Sequence, residues 1–123
     1  MPDFSLVVLY VEDPAISSSF YEKLLGRSVV QSSPRFAMLP LNKDVMLGLW
    51  SRQDVDPRAT SAGGVEIAFT VSDADAVRAT HESWKGLGLK VAQAPTAMDF
   101  GVTFVALDPD GHRLRVFAPA VPN

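Results

Sequence analysis

Apolar and polar positions follow one order along this chain, and they follow it twice. Leu9-Tyr10-Val11-Glu12-Asp13 leads into a helical stretch that closes on Gly26, and sixty residues later Phe69-Thr70-Val71-Ser72-Asp73 leads into another that reaches Gly86. Each copy then runs into strand-like sequence. The copies end in hairpin turns at Pro40-Leu41-Asn42-Lys43-Asp44 and at Asp108-Pro109-Asp110-Gly111. Only two copies are present, whereas a solenoid needs three or more, so the pattern predicts a duplicated βαβββ module.

In the first copy, Phe4 to Val11 is a nearly continuous apolar run and predicts a strand covered on both faces. Asp13 offers an N-cap oxygen, Pro14 suits the first helical position, and Gly26 supplies the stop. Ile16, Phe20 and Leu24, widened by Leu25, form the stripe expected to pack on the sheet, with Ser17, Ser18, Glu22 and Lys23 toward solvent. Three short strands follow between residues 27 and 51. Ser51 to Gly64, including Asp54, Asp56, Pro57, Arg58, Ser61 and Gly63, reads as a linker between modules. The second copy predicts a strand over 65–72, a helix capped by Asp73 and carrying Ala74, Val77 and Trp84, and strands near 89–94, 102–107 and 113–118. Ala97-Met98-Asp99-Phe100-Gly101 reads as an apolar loop. The fold class is therefore α+β: module one spans 1–51, the linker 52–64 and module two 65–123 of a single domain, with a curved sheet cleft and helices on the outer face.

Strand side chains alternate between faces, so each strand can be sorted. In the last strand Leu114 and Val116 suit the helix side, leaving Arg113, Arg115 and Phe117 opposite. In the first strand of module two, Val65, Ile67, Phe69 and Val71 take the helix side and Glu66, Ala68 and Thr70 the other. The same rule places Leu6, Val8, Tyr10, Met46, Gly48 and Trp50 of module one on that opposite face, joined by Phe36 and Met38. A face this apolar predicts a cavity, a subunit interface or both.

Composition narrows the chemistry. The chain has 123 residues, 47% of them hydrophobic, enough for one core, and a net charge of −3 with no basic run, which disfavours nucleic acid. It has no cysteine, which excludes disulfides, thiolate metal sites and cysteine nucleophiles. Met1-Pro2-Asp3 lacks the features of a signal peptide, and no apolar run is long enough to span a membrane, so a cytoplasmic protein is expected.

Tyr10-Val11-Glu12-Asp13 through Phe20-Tyr21-Glu22-Lys23-Leu24-Leu25-Gly26, then Ile67-Ala68-Phe69-Thr70-Val71-Ser72-Asp73, then Asp108-Pro109-Asp110-Gly111-His112-Arg113-Leu114 together resemble the vicinal oxygen chelate superfamily. That group contains glyoxalase I, extradiol dioxygenases, and fosfomycin- and bleomycin-resistance proteins. Val45-Met46-Leu47-Gly48-Leu49-Trp50 and Met98-Asp99-Phe100-Gly101 look like its phenazine-antibiotic-resistance-like branch. The resemblance implies the glyoxalase/bleomycin-resistance fold and metal ligands on the first and last strands of each module. Those positions fall on Leu6, near Gly48, on Glu66 and on Arg115. One carboxylate beside a fixed cation falls short of the three or so ligands a catalytic divalent ion needs, so no metal and no cofactor are expected.

Phe36, Met38, Trp50, Glu66, Phe100 and Arg115 are the candidate ligand-binding residues, with Glu66 and Arg115 expected as a bidentate ion pair. Asp99 reads as a turn residue, His112 as solvent-exposed and His81 as structural. Ser17, Ser18 and Ser19 lack a paired base, and Gly63-Gly64 and Gly86-Leu87-Gly88 do not form a phosphate-cradling loop. Two functions remain. The first is metal-independent binding of a planar aromatic small molecule, without catalytic residues, with antibiotic sequestration as the role the resemblance suggests. The alternative is a lyase, isomerase or dioxygenase using a metal or Glu66 as general base. Open sheet edges predict a homodimer, with clefts formed by module one of one chain and module two of the other.

Overall fold

The computed structural model describes residues 4–61 and 64–120. The Met1-Pro2-Asp3 start and Gly63 of the linker lie outside them. The chain divides into two compact units, Met1–Ala62 and Gly63–Asn123.

The first unit is built from β1 (Leu6–Val11), α1 (Pro14–Leu25), β2 (Gln31–Ser32), β3 (Phe36–Pro40) and β4 (Met46–Ser51). Its sheet has the order β1-β4-β3-β2, with β1 parallel to β4 and the remaining pairs antiparallel. The helix connecting β1 to the rest of the sheet starts and stops where the side chains allow. Asp13 is extended (φ −142°) and accepts from the Ala15 N–H at 2.9 Å, and Pro14 needs no N–H partner in the first turn. Gly26 takes a left-handed φ of 65° and donates its N–H to the Glu22 carbonyl at 2.9 Å.

The face that α1 buries differs from the expectation. Pro14, Ser17, Ser18 and Tyr21 are the buried positions, while Ile16 is 59% exposed and Phe20 and Leu24 are only half-buried. The apolar period named the wrong side because small serines let the helix sit close to the sheet. Their polarity is handled locally: the Ser18 hydroxyl donates to the Ala15 carbonyl at 3.1 Å. Tyr21, the large residue of the buried positions, is fully buried. The residues after β4 are partly tied to this unit, since Val55 is buried and Arg52 N–H donates to the Val11 carbonyl at 2.8 Å.

The second unit repeats the plan with β5 (Glu66–Thr70), α2 (Ala74–Gly86), β6 (Lys90–Met98), β7 (Gly101–Leu107) and β8 (Arg113–Pro119), in the sheet order β5-β8-β7-β6. Asp73 caps α2 by accepting from Ala76 N–H at 2.8 Å. Under the helix, Trp84 meets Phe69 and Phe104 edge-on at 5.7 and 5.5 Å, and His81 stacks edge-on against Phe104 at 5.3 Å. That gives His81 its structural place. Val65 lies before β5 and is 68% exposed, so it does not share the helix face. The apolar loop expected over 97–101 is also corrected. β6 continues through Met98, and only Asp99 and Phe100 turn before β7, with Gly101 at φ +139°. Two register shifts in β6, on either side of Gln93, let the strand pass Pro95.

Apart from Val65, the apolar positions assigned to the helix side are buried or half-buried in both units. Leu9, Val11, Ala37, Leu39, Leu47 and Leu49 are buried in the first, and Phe104, Ala106, Leu114, Val116 and Ala118 in the second. Among the described residues, no helix is long and apolar enough to cross a membrane.

Candidate functional site

Each sheet has an open face opposite its helix, and the two carry different chemistry. In the first unit, strand pairing sets two rows across β1, β4 and β3: Val8, Gly48, Met38, and next to it Tyr10, Trp50, Phe36. The second row is a run of rings. Trp50 meets Tyr10 edge-on at 6.4 Å (83°) and Phe36 edge-on at 6.4 Å (88°). Gly48 makes this possible. A Cβ there would lie 2.9 Å from Phe36 Cζ and 3.4 Å from Leu6 Cδ1, so the ring occupies the space of the missing side chain. Phe36, Met38 and Trp50 are all half-buried, and Tyr10 is 44% exposed.

In the second unit the expected ion pair is present and bidentate. Arg115 Nε donates to Glu66 Oε1 at 2.7 Å and Nη2 to Oε2 at 3.4 Å. The guanidinium is further held by Nη1 donating to Thr103 Oγ1 at 3.1 Å and Gln93 Oε1 at 3.4 Å, and its Cζ lies 5.7 Å from the centre of the Phe100 ring. Phe100 in turn meets Phe117 at 6.0 Å. The six residues named from sequence therefore form two groups of three: Phe36, Met38 and Trp50 on one sheet, and Glu66, Phe100 and Arg115 on the other.

Thr103 and Gln93 are additions. Thr103 is fully buried, and its hydroxyl donates to the Val116 carbonyl at 2.9 Å while accepting from Arg115. Extending the alternation rule to β7 would have placed Thr103 beside Phe117, its pairing partner. Gln93 carried no such signal, because the register shifts around it break period two. Asp99 is exposed in its turn, where Gly101 supplies the unusual backbone angle.

The positions where the superfamily resemblance implies metal ligands do not fit a divalent ion. Leu6 and Gly48 have no donor atoms, and the gap at Gly48 is filled by the Phe36 ring. Both Glu66 oxygens are bonded to Arg115. Elsewhere, Asp108, Asp110 and His112 bring three potential ligand atoms within 4.8 Å. The Asp108 and His112 side chains are engaged in shaping the hairpin. Buried Asp108 accepts through Oδ1 from the Asp110 and His112 N–H groups at 2.9 and 2.8 Å, and through Oδ2 from His112 Nδ1 at 2.9 Å. His112 is thus not the solvent-exposed residue expected from sequence: its side chain is 28% exposed. The hydrogen bond to Asp108 raises its pKa above 6.5, opposed by burial and assisted by the charges of Asp108 and Asp110.

Comparisons with known proteins place this geometry. A family model described as Glyoxalase/Bleomycin resistance protein/Dioxygenase superfamily matches residues 4–116. The phenazine antibiotic resistance protein EhpR of Enterobacter agglomerans is 29% identical over 115 residues, covering 91% of this chain and 88% of that protein. The solution structure of protein ATC0852 from Agrobacterium tumefaciens is 45% identical, with a TM-score of 0.88 over 98% of this chain and 100% of that one. A glyoxalase/bleomycin resistance protein/dioxygenase from Nocardioides shares the fold at 22% identity, with a TM-score of 0.83 over 100% of this chain and 87% of that one.

Proposed function

The chain belongs to the Glyoxalase/Bleomycin resistance protein/Dioxygenase superfamily, and from that premise we propose that it binds a planar aromatic small molecule without a metal, in a resistance role of the sequestering kind. The observation that carries this reading is the Tyr10–Trp50–Phe36 row on the open face of the first sheet. Ring edges and faces left half-exposed in this way offer a flat ligand apolar contact and stacking. The likeness to a phenazine antibiotic resistance protein supports the same ligand class. Glu66 as a general base finds less support, since both its oxygens accept from Arg115. Exposure of Leu6, Tyr10, Met98 and Phe100 supports a homodimer as the working form.

Calorimetric titration with phenazine tests the reading. Wild-type protein should bind, and Trp50→Ala should weaken binding by about 1 to 3 kcal/mol, roughly 5- to 150-fold, with the fold retained. Equal affinity in the two proteins would contradict it. Sedimentation equilibrium at micromolar concentration tests the dimer, and a monomer alone would refute it.

A further inference from the structure

Arg113 sits directly opposite Glu66 in the parallel β5–β8 ladder, yet the carboxylate is held by Arg115, one row further on. Glu66 and Arg115 neutralise each other. Arg113 is left exposed, with no ion pair to any described residue. Beside it lies a recess of about 270 Å³ lined by Ala92, Gln93, Val105, Arg113 and Arg115.

The charged groups lining this recess are both arginines. An arginine has five N–H donors, and the four bonds of Arg115 to Glu66, Thr103 and Gln93 leave one unused. Gln93 turns its oxygen to Arg115, so its amide nitrogen points elsewhere, where its partner is the weakly accepting Met98 sulfur at 3.7 Å. Arg113 contributes a complete planar fork. Strand register adds Lys90 to the Arg113 row through Leu107. Ala92 and Val105 supply apolar wall between these donors. A planar anion attached to a flat apolar group matches such a lining, because an arginine fork pairs with the two oxygens of a carboxylate. The volume is below that of a typical drug-sized site and suits one ring with its acid group.

We propose that this recess binds the carboxylate of an aromatic acid, which makes aryl carboxylates the ligand class. The proposal rests on the aromatic-ligand reading above for its ligand class, but the recess lies within the second unit and can be tested by itself with a single ring. Benzoate titrated into the full-length protein, followed by the arginine Nε–H resonances, should shift the Arg113 and Arg115 signals saturably. Benzamide and inorganic phosphate should not. Arg113→Gln should keep a dispersed amide spectrum and lose at least about tenfold in benzoate affinity. Absence of a saturable shift, an equal response to benzamide or phosphate, or unchanged affinity in Arg113→Gln would overturn the proposal. Phenazine binding measured in the same samples separates the two claims: phenazine binding without benzoate binding removes this inference alone, and benzoate binding without phenazine binding removes the tricyclic reading alone.

Discussion

The two sheets repeat one pairing pattern, so their residues can be compared position by position. Leu6, Met46, Gly48, Trp50 and Phe36 of the first occupy the places of Glu66, Arg113, Arg115, Phe117 and Thr103 in the second. At the centre of the first face the strand residue is small and its diagonal neighbour large, so the Phe36 ring lies over Gly48. In the second face the sizes are exchanged: Arg115 is long, and the short Thr103 hydroxyl accepts from it. Large and small positions trade places while chemistry changes from rings to an ion pair. Duplication thus preserved the backbone, and paired size changes in β3–β4 and β7–β8 decided what each face offers.

The largest expected effect comes from a glycine without a movable neighbour. Gly101 has a φ of +139°, and a Cβ there would run into the backbone carbonyl of Ala118. Gly101→Ala should destabilise the protein by about 3 kcal/mol or more, read from the urea midpoint. Gly48 is the contrast. Its obstacle is a side-chain ring that can swing aside, so Gly48→Ala should cost about 1 kcal/mol and weaken phenazine binding by displacing Phe36. Equal destabilisation by the two substitutions would break the distinction between a backbone and a side-chain constraint.

Between these lies the ion pair. Arg115→Met removes four hydrogen bonds, but Glu66 is 36% exposed and gains water in exchange, so a loss of about 1 to 2 kcal/mol is expected. Chemical denaturation measures it, and an unchanged midpoint would show that the pair is replaceable by packing.

The smallest effect distinguishes the hairpins. Asn42 Oδ1 accepts from Asp44 and Val45 N–H at 2.8 Å in the first, where Asp108 does the equivalent work in the second. Only the second involves a titrating pair. The Asp108 hydrogen bond raises the folded-state pKa of His112 above 6.5, so its stabilisation is complete below 6.5 and is lost as pH rises through the higher folded value. Stability should therefore fall across that range in the wild type, and His112→Asn should flatten this component. Hydrogen exchange should locate the change in β8 and leave β4 unaffected.

Much of this was legible in the sequence. Caps at Asp13 and Asp73 and the stop at Gly26 are local rules and give the helices correctly. Period two put Glu66 and Arg115 on the face opposite the helices, and the superfamily resemblance brought their two strands together as a pair. The misses at α1 and at Gly48 share one physical origin, the neglect of volume. Ser17 and Ser18 are buried because they are small, a property that polarity-based periodicity reads as solvent-facing. The Phe36 ring over Gly48 depends on a void that no single-residue pattern records, and Gln93 was hidden by a bulged strand. His112 was misplaced because its burial depends on Asp108, a partner in the same turn rather than in the period.

The central claim is that the first sheet, not the second, supplies the stacking surface, and the two tryptophans report on it separately. Trp50 lies half-buried on the open face of the first sheet, while Trp84 is 8% exposed between Phe69 and Phe104 under α2. Phenazine titrated against Trp84→Phe, which keeps Trp50, should quench tryptophan fluorescence saturably, and against Trp50→Phe, which keeps Trp84, quenching should largely disappear. Undiminished quenching in Trp50→Phe, or no binding to either protein below about 1 mM, equivalent to roughly 4 kcal/mol, would contradict the account.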